Sequence, residues 1–515
     1  MLQPLRTANR FKVKSTSVPA PIGGLNSRDS VDNMQPLDAI TLTNMFPTVG
    51  KITLRDGFSS FCTGIGSGDV ETLIEHNAGS NRQLLAVGSD GVLYQINTGS
   101  AVSKKTGLSN GRFQTAAFNG RTLFVNGTDT PFAWDGSSAS NLSITLSDST
   151  SADSLKGVHV HKNRVYYFRG DEQKFYYSAT VDTFQGNFTV FNLGLVDDIG
   201  GNLIQIKTLT IDGGEGTDDL IAFIMDSGIV LVYSGDNPSS GFSLNGSFRI
   251  AEPVNEIRGA AKFGGDVAVI TSEGVVALSK VFNRDRIGTQ AVALSEKIRG
   301  DVIAQVKETR TSTGWQIFID PKGDKIFINF PTGNATDPFN QFVFNPIINA
   351  WCLFQNIPAR VWGQFNNDVF FGGASGTVFK ITGNADGTDA IVGDVATSFN
   401  YFGDRGSLKK FSSVAPMLEG VVSNISFSFG VAVDHEPTTL LDLTPAQFTT
   451  DLASWDEAEW DEEHWADAEG SAITQRRKVT NKMGRSISLR IKISSSTQAI
   501  SFVSANYHIL PGGPI

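Results

Sequence analysis

Between about residue 65 and residue 385 one short pattern recurs, and it limits the possible folds more than any other feature. "SNRQLLAVGSDGVLYQIN" from Ser80, "NGRTLFVNGTDTPFAWDG" from Asn119 and "KNRVYYFRGDEQKFYYSA" from Lys162 are three copies. "TDDLIAFIMDSGIVLVYSG" from Thr217, "GGDVAVITSEGVVALS" from Gly264 and "NNDVFFGGASGTVFKITG" from Asn366 are three more. Each reads as a polar turn, an apolar strand, a second turn and a second strand. The DG, SG and EG pairs supply the positive φ that tight hairpin turns demand. "PKGDKIFINFP" from Pro321 is a looser copy, and "QFVFNPIINAWCLF" from Gln341 extends it into four strands. Successive copies lie about 45 to 50 residues apart, the size of one four-stranded propeller blade. A lone blade cannot bury both faces, so radial stacking is the economical solution. A β-sandwich pair would not repeat a hairpin at blade length. The expected fold is all-β, a β-propeller of about seven four-stranded blades over residues 61–385, with six or eight as the nearest variants.

Composition agrees with many short strands. Only 18% of the 515 residues are charged and 53 are Gly, against a usual charged share of about a quarter. Residues 1–60 stand apart. The first twenty read as an extended arm, and "SVDNMQPLDAITLTNMFP" as one short helix ended before Pro47. After Gly383 the repeat stops at the polar run "NADGTDAIVGD". "SNISFSFGVAVD" and "RSISLRIKIS" then alternate, with Ile487, Leu489, Ile491 and Ile493 on one face and Ser488, Arg490 and Lys492 on the other. Residues 386–515 are therefore expected to form a separate antiparallel β domain.

Inside that domain lies "SWDEAEWDEEHWADAEG", which sets Trp455, Trp460 and Trp465 five residues apart among eight carboxylates, Asp456 and Asp461 included. Five residues advance about 500° on a helix, and odd spacing alternates faces on a strand, so neither element buries all three rings together. A loop remains. Either its rings fold back on their own domain, or they fill pockets on another subunit. The net charge of −10 is unevenly placed. Residues 455–469 carry the eight acids. From Ser471 onward there is no acid, while Arg476, Arg477, Lys478, Lys482, Arg485, Arg490 and Lys492 are basic. No basic face is broad enough for tight duplex binding.

No catalytic constellation is legible. His159 and His161 point the same way on a strand, but no third metal ligand is identifiable nearby. Cys62 and Cys352 lack a CxxC partner, and neither a G-x-S-x-G elbow nor a P-loop occurs. Asp90, Asp226 and Glu273, the acids a glycosidase reading would need, sit in turn slots that such residues occupy anyway. No catalytic residue, metal or cofactor is expected. No run of 18 apolar residues occurs, so no membrane span is expected, and the basic N-terminus lacks the apolar stretch of a signal peptide.

"APIGGLNSRDSVDNMQPLDAITLTNMFPTVGKITLRDGF" (20–58), "TSFNYFGDRGSLKKFSSVAPMLEG" (397–420) and the "WDEAEWDEEHW" stretch resemble tail nozzle proteins of short-tailed bacteriophages, also described as packaged-DNA stabilisation or head-completion proteins. The likeness covers about a quarter of the chain and carries no catalytic motif, so no family residue is transferred. The resemblance implies a virion protein with a propeller in each subunit, forming a homo-oligomeric, hexameric ring. That ring would sit below the portal and its adaptor ring, and tail fibres or spikes would attach to it. Phage DNA would pass through the lumen without specific binding, which suits a chain that is not basic. On this reading Trp455, Trp460, Trp465, Asp456 and Asp461 face Arg476, Arg477, Lys478, Arg490 and Lys492, while Arg6 and Arg10 on the arm reach a neighbour or the adaptor. The alternatives are a carbohydrate-binding or glycosidase-like propeller tail protein, or a cellular scaffold propeller.

Overall fold

The computed structural model describes residues 13–79, 81–195, 200–212, 217–282, 293–334, 339–421, 425–448, 452–453, 464–465 and 471–512. They fall into two compact units, and the chain passes between them four times. One unit comprises Phe58–Val343 and Gln355–Thr382; the other comprises Met1–Gly57, Phe344–Phe354 and Gly383–Ile515.

The first unit is built from small antiparallel sheets in chain order and is propeller-like. Val70–Ala78, Asn81–Gly88, Leu93–Asn97 and Ser100–Lys105 form a four-stranded meander. Gln114–Phe118, Arg121–Val125, Phe132–Trp134 and Ala139–Asn141 form the next. Gly157–His161, Arg164–Phe168, Lys174–Ser178 and Gly186–Asn192 follow, with Ile144–Leu146 added in parallel at the outer edge. Leu203–Asp212, Thr217–Met225, Ile229–Ser234 and Ser243–Arg249 form a fourth sheet. Ala260–Phe263, Asp266–Thr271 and Gly274–Ala277 make three strands. Two α-helices, Leu278–Phe282 and Arg299–Thr309, come after them. Gln316–Ile319 then pairs with Ile326–Pro331. Finally Val361–Phe365, Asp368–Gly372 and Val378–Ile381 take Phe58–Cys62 as their fourth strand.

The turns explain why these hairpins form where they do. Asn119-Gly120, Lys162-Asn163 and Asn366-Asn367 each connect paired strands through two residues, both with positive φ of 45–68°. That is the type I′ geometry whose twist matches the flanking strands, and Asn and Gly adopt it at least cost. Neighbouring sheets then bury their facing sides against one another. Leu85, Val87 and Leu93 pack on Phe113, Phe124, Phe132 and Trp134. Leu123 and Val125 pack on Val158, Val165 and Tyr167, and Tyr166, Phe168 and Phe175 pack on Ile221, Phe223 and Tyr233. Cys62, Val361 and Phe370 of the last sheet pack on Val70, Leu73 and Leu84 of the first. Fully burying each such side chain contributes about 1.5–3 kcal/mol.

The second unit has two sheets. In one, Ile500–Pro511 lies between Lys14–Pro19 and Lys409–Val421, and the far edge of Lys409–Val421 pairs with Ser471–Gln475 and then Lys478–Gly484. In the other, Asp38–Thr43, Asp389–Thr397, Ile487–Ser495 and Ile425–Val433 run side by side. Ile487, Leu489, Ile491 and Ile493 are all buried, as their alternation requires.

Two expectations change. Residues 31–46 contain no helix: Asp38–Thr43 and Met45–Thr48 are strands. Asn44 between them has φ 55°, a left-handed residue no helix tolerates, and Ile40, Thr41 and Thr43 are β-branched. The arm is not free from Lys14 onward, because Lys14–Pro19 pairs with Ile509–Ser504 of its own chain. Gln316–Ile319, Ile326–Pro331, Phe339–Asn345 and Ala350–Phe354 are successive neighbours in one sheet, the four strands read from the sequence.

Candidate functional site

Two places concentrate polar chemistry. The first is the edge strand Lys478–Gly484. Its Thr480 Oγ1 donates to Phe411 O, its Lys478 Nζ to Phe429 O and its Lys482 Nζ to Glu436, so one face of the strand is tied to its own unit. The alternate residues Val479 and Met483 point away and are 68% and 63% exposed. Arg476, Arg477 and Arg485 are exposed beside them, and exposed Lys410 stands opposite Met483. Two aliphatic side chains in a basic surround form a strip suited to an acidic, apolar partner.

The sequence-predicted residues divide accordingly. Arg476 and Arg477 lie beside this strip, whereas Lys478 is turned to the other face, where its Nζ donates to Phe429 O. Arg490 and Lys492 do not: Arg490 grips Asp394 bidentately at 2.9 and 2.6 Å and also donates to Thr438 O. Lys492 Nζ sits 4.0 Å from the same carboxylate. Arg490 is thus a structural ion-pair residue within the unit. Trp455, Trp460, Asp456, Asp461, Arg6 and Arg10 lie outside the described residues. For Trp465 the backbone pairing of His464–Trp465 with Leu452–Ala453 is described.

The second place is the axis of the propeller-like unit. The first strand of each sheet lies against the first strand of the next, and Val361–Phe365 returns against Val70–Ala78. A cavity of about 400 Å³ lies among them, lined by Glu75, Gln114, Thr115, Gln316, Gln364 and Arg258 among others. Arg258 donates to Glu71 O, Thr72 Oγ1 and Phe113 O at 2.8–2.9 Å, linking the fifth sheet to the first and second. Burial and the neighbouring Arg112 pull it down to about 10, so it stays charged at neutral pH. Arg112 is itself held by Glu256 at 2.6 Å. Neither Arg258 nor its partners gave a local sequence signal, since about 145–187 residues separate them.

His159 and His161 share one hydroxyl: each places a ring nitrogen 2.9 Å from Thr208 Oγ1. Among the described residues no group of three or more His, Cys, Asp or Glu is placed to hold a metal ion. Burial pushes His159 down to about 3 and His161 to about 4, with nearby lysines adding to the effect. Both rings are therefore neutral when folded. The unfolded chain takes up their protons near the ordinary value of about 6.5, and the folded chain only well below it. Stability from this pair is full above pH 6.5 and falls as pH drops toward 4, by at most about 1.4 kcal/mol per pH unit per ring. A melting series from pH 7.5 to 4.5 should show a shallower decline for His161→Gln, which keeps a polar partner for Thr208. Identical slopes would contradict the assignment.

The turn acids have local partners. Asp90 accepts from Val92 N–H and the Tyr94 hydroxyl, Asp226 accepts from Asn202 N–H, and Glu273 pairs with Arg299 at 3.1 Å. Cys62 and Cys352 are buried free thiols. Among the described residues no helix is long and apolar enough to cross a membrane.

No family model and no curated protein matches this sequence. Solved structures resemble it at low identity. The extracellular domain of a hybrid two-component system from B. thetaiotaomicron aligns at TM-score 0.40 and 13% identity, over 68% of this chain and 43% of that one. PorZ, a bacterial surface component of the type-IX secretion system of Porphyromonas gingivalis, aligns at 0.37 and 12%, over 62% and 37%. The computationally designed Ika8 protein aligns at 0.36 and 9%, over 63% and 99%. The aligned part is less than half of each of the first two chains.

Proposed function

We propose that this chain is a structural virion protein of a short-tailed phage. It forms the tail nozzle, a hexameric ring that encloses the DNA exit channel below the portal and adaptor and offers fibres or spikes a surface. The propeller-like unit is read as seven blades, the last completed by Phe58–Cys62 and the fifth carrying helices in place of an outer strand. The ends of the chain carry the resemblance to nozzle proteins. The observation that carries the assembly reading is the exposed strip of Val479 and Met483 beside Arg476, Arg477 and Arg485. It follows directly on a segment of eight carboxylates and three tryptophans in the same chain. Repeated around a ring, one copy's acidic segment meets the next copy's basic strip, a heterologous contact that closes by rotation. Exposed ion pairs contribute about 0–1 kcal/mol each and set register. The rings supply most of the affinity. Weakly repelling walls let duplex DNA slide past, where a basic lumen would hold it. The test is the particle itself: the chain must be a component of purified virions of the phage that encodes it.

A further inference from the structure

The axial cavity carries hydrogen-bonding capacity that the fold itself leaves unused. Its volume of about 400 Å³ lies among the strands Val70–Ala78, Gln114–Phe118, Gln316–Ile319 and Val361–Phe365. Small-ligand pockets span about 300–1,000 Å³, so the space suits a compact molecule and exceeds what one bridging water needs.

Glu75 marks what such a molecule would bring. Its side chain is 8% exposed, and its enclosed Oε1 accepts no hydrogen bond among the described residues. Arg82 Nε lies 2.8 Å from that oxygen and offsets its charge, but its N–H does not point along the contact. A buried acceptor left without a donor is costly, so the position calls for a donor from outside the chain. Gln114, Thr115 and Gln364 line the same cavity, and no hydrogen bond engages their side chains among the described residues. Two further polar walls are committed. The Gln316 amide exchanges bonds of 3.0 and 2.8 Å with the Trp362 backbone, and Arg258 is held by two backbone carbonyls and Thr72. A charged ligand would have to compete with Arg82 for Glu75 or draw Arg258 from its oxygens, whereas a neutral one would disturb neither.

What the open groups share is mixed donor and acceptor character. A side-chain amide sets an acceptor beside a donor, a hydroxyl is both, and a carboxylate oxygen accepts from hydroxyls. Hydroxyl groups on neighbouring carbons match that set, and Ile74 and Phe318 offer apolar wall for the C–H faces of a ring. We propose that the axial cavity binds a neutral saccharide of one or two rings, with Glu75 accepting from its hydroxyls and Gln114, Thr115 and Gln364 fixing its orientation. Glu75 is the only acid lining the cavity among the described residues, and glycoside hydrolysis uses a pair, so the assignment is binding without cleavage. The lining residues all belong to the propeller-like unit, so the site does not depend on ring assembly.

The test uses the full chain, with D-glucose, D-galactose, D-mannose, N-acetyl-D-glucosamine and maltose as probes. Isomeric hexoses are excluded from protein surfaces to the same extent, so a difference among them reports a site and not a bulk-solvent effect. Titration calorimetry should find saturable binding of at least one probe with Kd of about 10 mM or tighter. A saturating amount of that sugar should raise the melting temperature by about 2 °C or more beyond an isomer that does not bind. Glu75→Gln, which keeps the shape and removes the charged acceptor, should weaken binding about tenfold or more, and Gln364→Ala by a smaller factor. Gln364 is exposed, so its variant stays folded and decides the matter if Glu75→Gln does not fold. Glucuronate, which adds a charge to the same ring, should bind no better than the best neutral sugar. Equal and non-saturating effects of all five probes, tighter binding of glucuronate, or binding undiminished in the folded variants would overturn the proposal.

Discussion

Replacing Asp386 with alanine is expected to destabilise the second unit by about 3–5 kcal/mol, among the largest effects available to one substitution in this chain. The Arg55 side chain is only 1% exposed and its guanidinium is saturated. Two nitrogens meet Asp386 at 2.8 and 2.6 Å, Nε donates to Asn44 Oδ1 at 3.0 Å, and Nη1 also reaches Asp56 O. Removing the carboxylate leaves a charge that cannot reach water and cannot lose its proton at any ordinary pH. Asp386→Asn should be milder, since an amide oxygen still accepts. The double variant Arg55→Met with Asp386→Leu should recover most of the loss, because a buried pair replaced by apolar groups of similar volume is often neutral or better. Chemical denaturation of the four proteins measures this cycle. A loss of less than about 1 kcal/mol for Asp386→Ala would mean that water screens the pair.

If the proposed nozzle role is right, ring assembly should fail in Trp460→Ala and in the double variant Val479→Asp with Met483→Asp, while the monomer stays folded. Val479 and Met483 are exposed and on the outward face of an edge strand, so their replacement should move monomer stability by no more than about 0.5 kcal/mol per site. At an interface the same side chains face a partner, and truncating one large aromatic anchor can cost about 2 kcal/mol or more. That is about thirtyfold in affinity per contact, repeated around the ring. Charge reversal at Glu457 removes one screened pair among many and should do less. Raised salt should weaken the contact modestly, because screening acts on the acids and not on the rings. Sedimentation of the purified variants and counts of assembled particles read these effects. Normal assembly by both variants would mean that the rings fold back on their own domain and the strip is ordinary surface.

The parts of this fold that could be read in the sequence are those governed by neighbours in the chain. Asn119-Gly120 and Asn366-Asn367 declare their turns because few residues tolerate positive φ at two successive positions. The alternation of Ile487 to Ile493 declares a half-buried strand for the same local reason. Residues 31–46 misled because Pro47 punctuates the segment like a helix end, while its conformation is set by strands far away in sequence: Asp38–Thr43 pairs with Asp389–Thr397. Lys14–Pro19 looked free because its partner lies near the opposite end of the chain. Arg490 looked like surface for a comparable reason: the strand alternation was right, but its partner Asp394 is 96 residues away.

Quantitative mass spectrometry of purified virions, from the phage the proposed function implies as the source of this chain, tests the nozzle role most directly. Peptides from both units should be present, at about the six copies per particle that one hexameric ring requires. Their absence from the particle, or an amount far below one ring, would contradict the nozzle assignment and leave a propeller-like protein whose work lies elsewhere.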